Sequence, residues 1–95
     1  MMIDMNSVPS KTEGLMERSL NDEIVVLSSK GDVLHTFSGT ARFIWSMIDG
    51  NRTIESIARA MTDEYEVDEE TARSDLERFL GDLLSLSLIK TTTIK

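Results

Sequence analysis

The chain offers few side chains that could perform catalysis. It has one histidine, His35, and no cysteine, so a histidine-based triad, a thiol nucleophile and a metal site of several imidazoles or thiolates are excluded within one chain. A lone histidine in an alternating strand pattern is typical of a half-exposed surface residue. The five glycines fall in no phosphate-binding pattern. We therefore expect no catalytic residue and no enzymatic activity.

Two acidic runs are candidate cation ligands. Asp63-Glu64 and Asp68-Glu69-Glu70 lie on either side of a predicted turn, but they lack the alternating ligand spacing of a calcium-binding loop. Acidic residues at the start of a helix interact favourably with the positive end of its dipole. We interpret both runs as helix-capping and solubilising residues, and we expect neither a metal ion nor a cofactor.

The elements that position any site begin with predicted strands, because residues 15–37 show a hydrophobic period of two residues. Three segments within residues 15–37 predict three β-strands: "LMERSL" is a weak strand signal, "EIVVLS" is a strong one because it is rich in β-branched residues, and "VLHTF" alternates Val33, His35 and Phe37 with Leu34 and Thr36. Asn21-Asp22 separates the first two segments, and Gly31 can supply the positive φ of a hairpin turn before the third. Such short connections favour an antiparallel meander.

From Ser38 onward the apolar residues recur with a helical period. Three stripes follow Ser38, Thr53 and Asp68, and each of these residues is suited to the N-cap of a helix. We expect the first helix to end at Asp49-Gly50, where glycine supplies a left-handed cap. The predicted core residues are Ile24, Val26, Ile44, Trp45, Ile57, Leu76, Phe79, Leu80 and Leu83. The order β-β-β-α-α-α predicts an α+β fold, similar to a winged helix-turn-helix, with the helices on one face of the sheet.

The two ends of the chain lack this periodicity. We expect a flexible N-terminal tail over residues 1–13, one folded domain over residues 14–89, and a C-terminal tail over residues 90–95. No apolar run reaches the roughly 18–20 residues of a membrane span, and the start lacks the basic and apolar blocks of a signal peptide. We therefore expect a cytoplasmic protein without a membrane partner.

The charge of the chain argues against nucleic acid as a partner. Ten Lys and Arg stand against seventeen Asp and Glu, for a net charge of −7. Residues 68–86, which cover the helix that a winged domain would use for reading bases, hold six acidic and two basic residues. Duplex binding is driven by Lys and Arg that neutralise phosphates. A winged-helix DNA-binding regulator is therefore the alternative hypothesis rather than the preferred one.

The third predicted strand offers a different kind of interaction. Residues 33–37 contain no proline and no charged residue apart from His35, so this edge lacks the usual protection against pairing with another chain. A peptide could add to it as a further strand. Two identical edges could also pair across a two-fold axis, which would give a homodimer. The pattern alone also leaves open a short edge that binds nothing.

A series of motifs follows this strand in a fixed order. It comprises Ser38, Ala41, Ile44-Trp45, Asp49-Gly50, Arg52-Thr53, Ile57, Tyr65 with Val67, Asp75-Leu76 and Leu88-Ile89. In this order and spacing, residues 15–89 resemble the PqqD family of peptide chaperones. The chain departs from the family at Ser87, where glycine often follows the last helix.

The resemblance implies a function in peptide modification. Family members bind the leader of a ribosomally made precursor peptide and present it to a modifying enzyme, which is a radical SAM protein in pyrroloquinoline quinone biosynthesis. In the family the leader lies as an added strand beside the third strand and the third helix. The corresponding residues here are Val33, Leu34, His35, Thr36, Phe37, Arg73, Leu76, Glu77 and Leu80. The other hypothesis that stays open is a protein–protein adaptor of an unrelated pathway.

The acidic third helix leads to a first prediction. We expect the protein to show no measurable affinity for duplex DNA near physiological salt, because the helix would repel the phosphates that it has to approach. A gel-shift titration checks this, and tight binding that weakens steeply as salt is added would contradict it.

Overall fold

The computed structural model describes residues 4–28, 31 and 33–93, and these residues form five strands and three helices. The strands are β1 (Ser7–Lys11), β2 (Met16–Leu20), β3 (Glu23–Leu27), β4 (Leu34–Ser38) and β5 (Ile89–Thr93). The helices are α1 (Gly39–Met47), α2 (Ile54–Glu64) and α3 (Glu69–Ser85). The predicted α+β class, with a three-stranded antiparallel sheet followed by three helices, is confirmed.

Strands β2, β3 and β4 form one antiparallel sheet in that order, so that β3 is central and β4 is an edge. Ile24 pairs with Phe37 and Val26 pairs with His35, and directly paired residues project from the same face of a sheet. Ile24, Val26 and Phe37 are buried, because this face packs against the helices. The opposite face, which we call the outer face, carries the exposed side chains of Met16 and Leu34.

The structure differs from the predicted tails at both ends of the chain. Strands β1 and β5 pair along all five of their residues in a second antiparallel sheet, and Val8 and Ile89 are buried in it. The two segments are short and polar and lie at opposite ends of the sequence, so no local period signals their pairing. Residues 1–3, 94 and 95 of the predicted tails lie outside the described residues.

Trp45 joins the second sheet to the first. Its ring is fully buried, and its indole Nε1–H donates to Glu17 Oε1 at 3.3 Å. The Lys11 ammonium lies 4.8 Å from the Trp45 ring centroid and 3.2 Å from the Glu17 carboxylate. This cation–π contact and ion pair hold the end of β1 against β2.

The predicted core is confirmed with one difference. Eight of the nine residues are buried, and the exception is Phe79, which is only partly buried against the core. Its ring meets the Phe37 ring edge-on, with the centroids 5.5 Å apart. Phe79 lies at the margin of the core, where part of its ring faces solvent.

Two of the three predicted helix caps are confirmed. The Thr53 hydroxyl accepts from the Ser56 N–H at 3.1 Å, and the Asp68 carboxylate accepts from the Thr71 N–H at 2.8 Å. Hydrogen bonds from the Thr71 side chain and backbone lower the pKa of Asp68. The prediction for Ser38 was wrong in its mechanism, because Ser38 occupies the N-cap position without a side-chain capping bond.

The end of α1 also differs from the prediction. The helix ends at Met47, and its C-cap residue, Ile48, is extended rather than left-handed. Gly50 does adopt a positive φ of 81°, but it does so in the turn that follows. Its N–H donates to the Pro9 carbonyl at 3.2 Å, so this turn contacts β1.

The packing of α3 gives a prediction about stability. Leu76 is 0% exposed, so we expect Leu76→Ala to lower the free energy of unfolding by about 2–5 kcal/mol through lost apolar burial and a residual cavity. Leu86, which is 52% exposed, is the matched control, and Leu86→Ala should change stability by less than about 0.5 kcal/mol. Urea unfolding followed by circular dichroism measures both. Equal effects would show that the core face of α3 is misassigned.

Candidate functional site

The outer edge of β4 has backbone groups with no partner strand. The Ser28 N–H donates to the Val33 carbonyl at 2.9 Å, and hydrogen-bonded and non-hydrogen-bonded pairs alternate along an antiparallel ladder. His35 and Phe37 therefore direct their backbone groups toward β3. The residues that direct theirs toward the open side are Leu34, Thr36 and Ser38. These groups form a template for one more strand.

A groove lies beside this edge, between the start of α1 and one flank of α3. It has a volume of about 320 Å³ and is lined by Thr40, Ala41, Ile44, Asp75, Arg78, Phe79 and Asp82. Ala41, Ile44 and Phe79 make part of the lining apolar, whereas the remaining side chains can bond to a polar ligand. A groove of this composition suits a ligand that has both apolar and polar groups.

A stack of aromatic rings joins the strand to the groove. The Phe37 ring on β4 lies 5.2 Å from the Trp45 ring and 5.5 Å from the Phe79 ring, centroid to centroid. The His35 ring lies parallel to Phe37 at 6.5 Å. Side chains alternate along a strand, so a strand added to β4 would direct every second side chain toward this aromatic side and the groove.

The groove is slightly acidic. Arg78 pairs with Asp75 at 2.9 Å, while Asp82 makes no ion pair within the part of the chain that the structure describes. One negative charge is therefore left uncompensated at the groove. It favours a cationic group on a ligand by about 0–1 kcal/mol, as is usual for an exposed pair.

The strand residues of the predicted site lie on or next to β4. Val33, Leu34 and Thr36 are exposed, and His35 is half-buried. Phe37 is buried with 8% exposure and faces the helices. All five lie at the open edge of the sheet, although Phe37 can act only through the ring stack behind it.

Two of the predicted helix residues are core residues. Leu76 and Leu80 are both 0% exposed, so neither can touch a ligand in the folded protein. They lie at spacing i, i+4 on the face of α3 that packs inward. They support the groove wall from behind rather than forming it.

The other two predicted helix residues lie on the opposite flank of α3. Arg73 bonds to Glu55 of α2 at 2.6 Å and to Glu69 at 3.0 Å. Arg73 and Glu77 line a separate depression. At about 100° of rotation per residue, Arg73 and Glu77 turn away from the flank that carries Asp75 and Asp82, so the structure does not bring them to β4.

The sequence reasoning missed the helix residues that line the groove. Asp75, Arg78, Phe79 and Asp82 recur at spacings of three and four, which places them on one flank of a helix. That spacing could have identified these residues as one flank of the helix. Arg73 and Glu77, however, border the apolar stripe on its other side in the same way. Only the packing distinguishes the two sides.

The described residues contain neither a candidate metal site nor a candidate membrane-spanning helix. Among residues 4–28, 31 and 33–93, no group of three or more His, Cys, Asp and Glu side chains could hold a metal ion. No helix in the same residues is long and apolar enough to cross a membrane.

Comparison with known proteins identifies the family of this chain. The family model described as "Coenzyme PQQ synthesis protein D (PqqD)" matches residues 23–89. The chain belongs to the PqqD family. This confirms the resemblance that the motif order gave, and the match includes β3, β4 and all three helices.

A solved structure is also similar to this PqqD-family chain. It is "TbiB1 in Complex with the TbiA(beta) Leader Peptide", with a TM-score of 0.79 and 26% sequence identity. The alignment covers 85% of this chain and 94% of that chain. No curated protein matches the chain.

The alternation along β4 gives a prediction that needs no ligand. Proline removes a backbone donor, and the Thr36 N–H faces the open side, whereas the His35 N–H faces β3. We expect His35→Pro to be less stable than Thr36→Pro by about 1–3 kcal/mol, the cost of leaving a ladder partner unsatisfied. Urea unfolding of the two variants side by side measures the difference, and the reverse order would show that the ladder is out of register by one residue.

Proposed function

We propose that this protein is a non-catalytic peptide chaperone. In this proposal it binds the leader of a ribosomally made precursor peptide as a fourth strand beside β4 and presents the peptide to a modifying enzyme. The observation that carries the proposal is the open edge of β4 next to the groove on α3. Membership of the PqqD family supports it, as does the similarity to TbiB1, which was solved with a leader peptide.

Strand addition uses backbone groups that the fold leaves unpaired. Leu34, Thr36 and Ser38 can donate to and accept from an extended peptide, and such bonds are largely independent of the peptide's sequence. Specificity then depends on the side chains. An apolar side chain of the leader would enter the groove beside Phe79, and a Lys or Arg would lie near Asp82.

The edge at β4 suits this role better than the edge at β2. Strand β2 carries the charged residues Glu17 and Arg18, and charged side chains are a common protection of edge strands. Glu17 is also bound to Lys11 and Trp45. Only β4 lies beside the groove, so only there can a peptide gain both backbone and side-chain contacts.

The partners follow from this reading. The precursor peptide is the first partner, and the modifying enzyme is the second. A radical SAM protein of the cytoplasm is our candidate for the enzyme, and pyrroloquinoline quinone biosynthesis is a candidate pathway. A homodimer through the β4 edge would use the same backbone groups as the leader, so a saturating leader peptide should disperse a dimer of that kind.

Binding by variants tests this proposal. The probes are synthetic peptides that match the N-terminal segments of short reading frames beside the gene, titrated by calorimetry. We expect Thr36→Pro to weaken the binding of the peptide that the wild type recognises by about tenfold or more, because it removes a donor that bonds to the added strand. The variant must first be shown to be folded by circular dichroism.

A second pair of variants locates the helix wall. For a leader with Lys or Arg, Asp82→Asn should weaken binding by up to about fivefold, the scale of one exposed ion pair. Glu77→Gln makes the same chemical change on the opposite flank of α3 and should leave the affinity unchanged. The proposal is wrong if Thr36→Pro binds at full strength, and the groove assignment is wrong if Glu77→Gln has the larger effect.

A further inference from the structure

The outer face of the β2–β3–β4 sheet is unusually apolar for a surface that no part of the described chain covers. Met16 is 67% exposed, Leu34 is 63% exposed and Leu20 is 49% exposed. Large apolar side chains scattered singly are normal on a protein surface, whereas adjacent ones mark an interaction site. These three lie on one sheet face, and the half-buried Val25 and Leu27 of β3 lie between them on that face.

The register of the sheet arranges these residues along a diagonal. Val25 is at the middle of the central strand and pairs with Arg18 on β2 and Thr36 on β4. Leu20 is on β2, two residues beyond Arg18 toward one end of the sheet. Leu34 is on β4, two residues beyond Thr36 toward the other end. Leu20, Val25 and Leu34 therefore form an apolar line across the outer face.

Two opposite charges flank this diagonal. Arg18 on β2 pairs directly with Val25, and Glu23 lies two residues from Val25 along β3. The two residues are thus on opposite sides of the Leu20–Val25–Leu34 line. Neither makes an ion pair among the residues that the structure describes.

We propose that a second copy of the chain packs on this outer face, about a two-fold axis that runs along the Leu20–Val25–Leu34 diagonal. Rotation about that axis exchanges the positions of Arg18 and Glu23, so each arginine meets the glutamate of the other copy. The three apolar residues meet their own counterparts on the axis. Because same-face residues are about 6.6 Å apart along a strand and the strands are about 4.8 Å apart, the diagonal lies about 36° from the strands, and the strands of the two sheets cross at about 70°.

Charge favours a second copy at this place. The chain carries a net charge of −7, so two copies repel each other over most of their surface. The outer face has one cation and one anion and is neutral, so it can approach its own copy without adding to that repulsion. The contact also leaves the backbone groups at the open side of β4 free, and it is therefore independent of strand addition there.

The small area of the face sets the strength of the contact. Five residues at about 3.3 Å each and three strands about 4.8 Å apart make a patch below the roughly 800 Å² per partner of a standard interface. We therefore expect weak association, with monomers at low concentration and dimers at high concentration.

Sedimentation velocity over protein concentrations from about 10 µM to about 1 mM tests the proposal. The wild type should shift from monomer to dimer across this range. Leu20→Lys places two ammonium groups together on the axis and should weaken association by about tenfold or more. Leu86→Lys, the same change at a site that is 52% exposed and lies on no sheet, should have no effect. Both changes lower the net negative charge, so a loss of dimer in Leu20→Lys alone cannot come from general repulsion.

Charge reversal tests the pairing itself. Arg18→Glu and Glu23→Arg should each weaken association by about two- to fivefold, and the double variant should restore it. Glu23→Arg brings the net charge closer to zero, so its weaker association would report the lost pair. A wild type that stays monomeric throughout, equal effects of Leu20→Lys and Leu86→Lys, or a double variant that fails to recover would each overturn the proposal. Because Leu20 and Arg18 lie on β2, which is not adjacent to β4, the results for these two positions are separable from leader binding.

Discussion

The backbone of β4 is satisfied on one side and open on the other, and the proposed recognition depends on this asymmetry. The backbone N–H and C=O groups of His35 and Phe37 bond to β3, so the amides of the alternate residues face outward. An unpaired backbone N–H or C=O gains most when a second strand supplies both donor and acceptor. The strand is therefore a preformed half of a ladder, and a peptide that completes it needs no rearrangement of the sheet.

Helix α3 gives this edge a second wall by using its three sides differently. Its inward face carries Leu76 and Leu80 into the core, and one flank is tied to α2 through Arg73 and Glu55. The other flank is left for the groove with Phe79 and Asp82. Packing and an ion pair orient the first two sides, and the edge-on contact of Phe79 with Phe37 places the third side beside β4. A preorganised wall of this kind lowers the entropy cost of binding.

Local patterns predicted the strands and helices well because each has its own period. The β-branched run of β3 and the helical stripe of α3 are both visible within a single element. The pairing of β1 with β5 was missed because two polar segments at opposite ends of the sequence carry no such signal. Thr53 and Asp68 were recognised as caps from residue type, whereas Ser38, which is of an equally suitable type, makes no side-chain capping bond.

The strand residues of the predicted site lie at a sheet edge in the structure, whereas the predicted helix residues do not line the groove beside it. Residues 33–37 follow from the third predicted strand, which the sequence places at an edge of the meander. The flank of α3 that faces this edge depends on how the helix is rotated in the fold. Arg73 and Phe79 border the same apolar stripe on different sides, and only tertiary packing decides between them.

The most direct test is amide hydrogen exchange of the protein with and without a leader peptide, measured by NMR. In the free protein, the amides of His35 and Phe37 should exchange slowly and the amide of Thr36 quickly, because only the first two bond to β3. A bound leader should protect Thr36, and Asp82 should show a shift change on the groove wall. A leader that binds while Thr36 continues to exchange quickly, or that protects β2 instead, would contradict strand addition at β4.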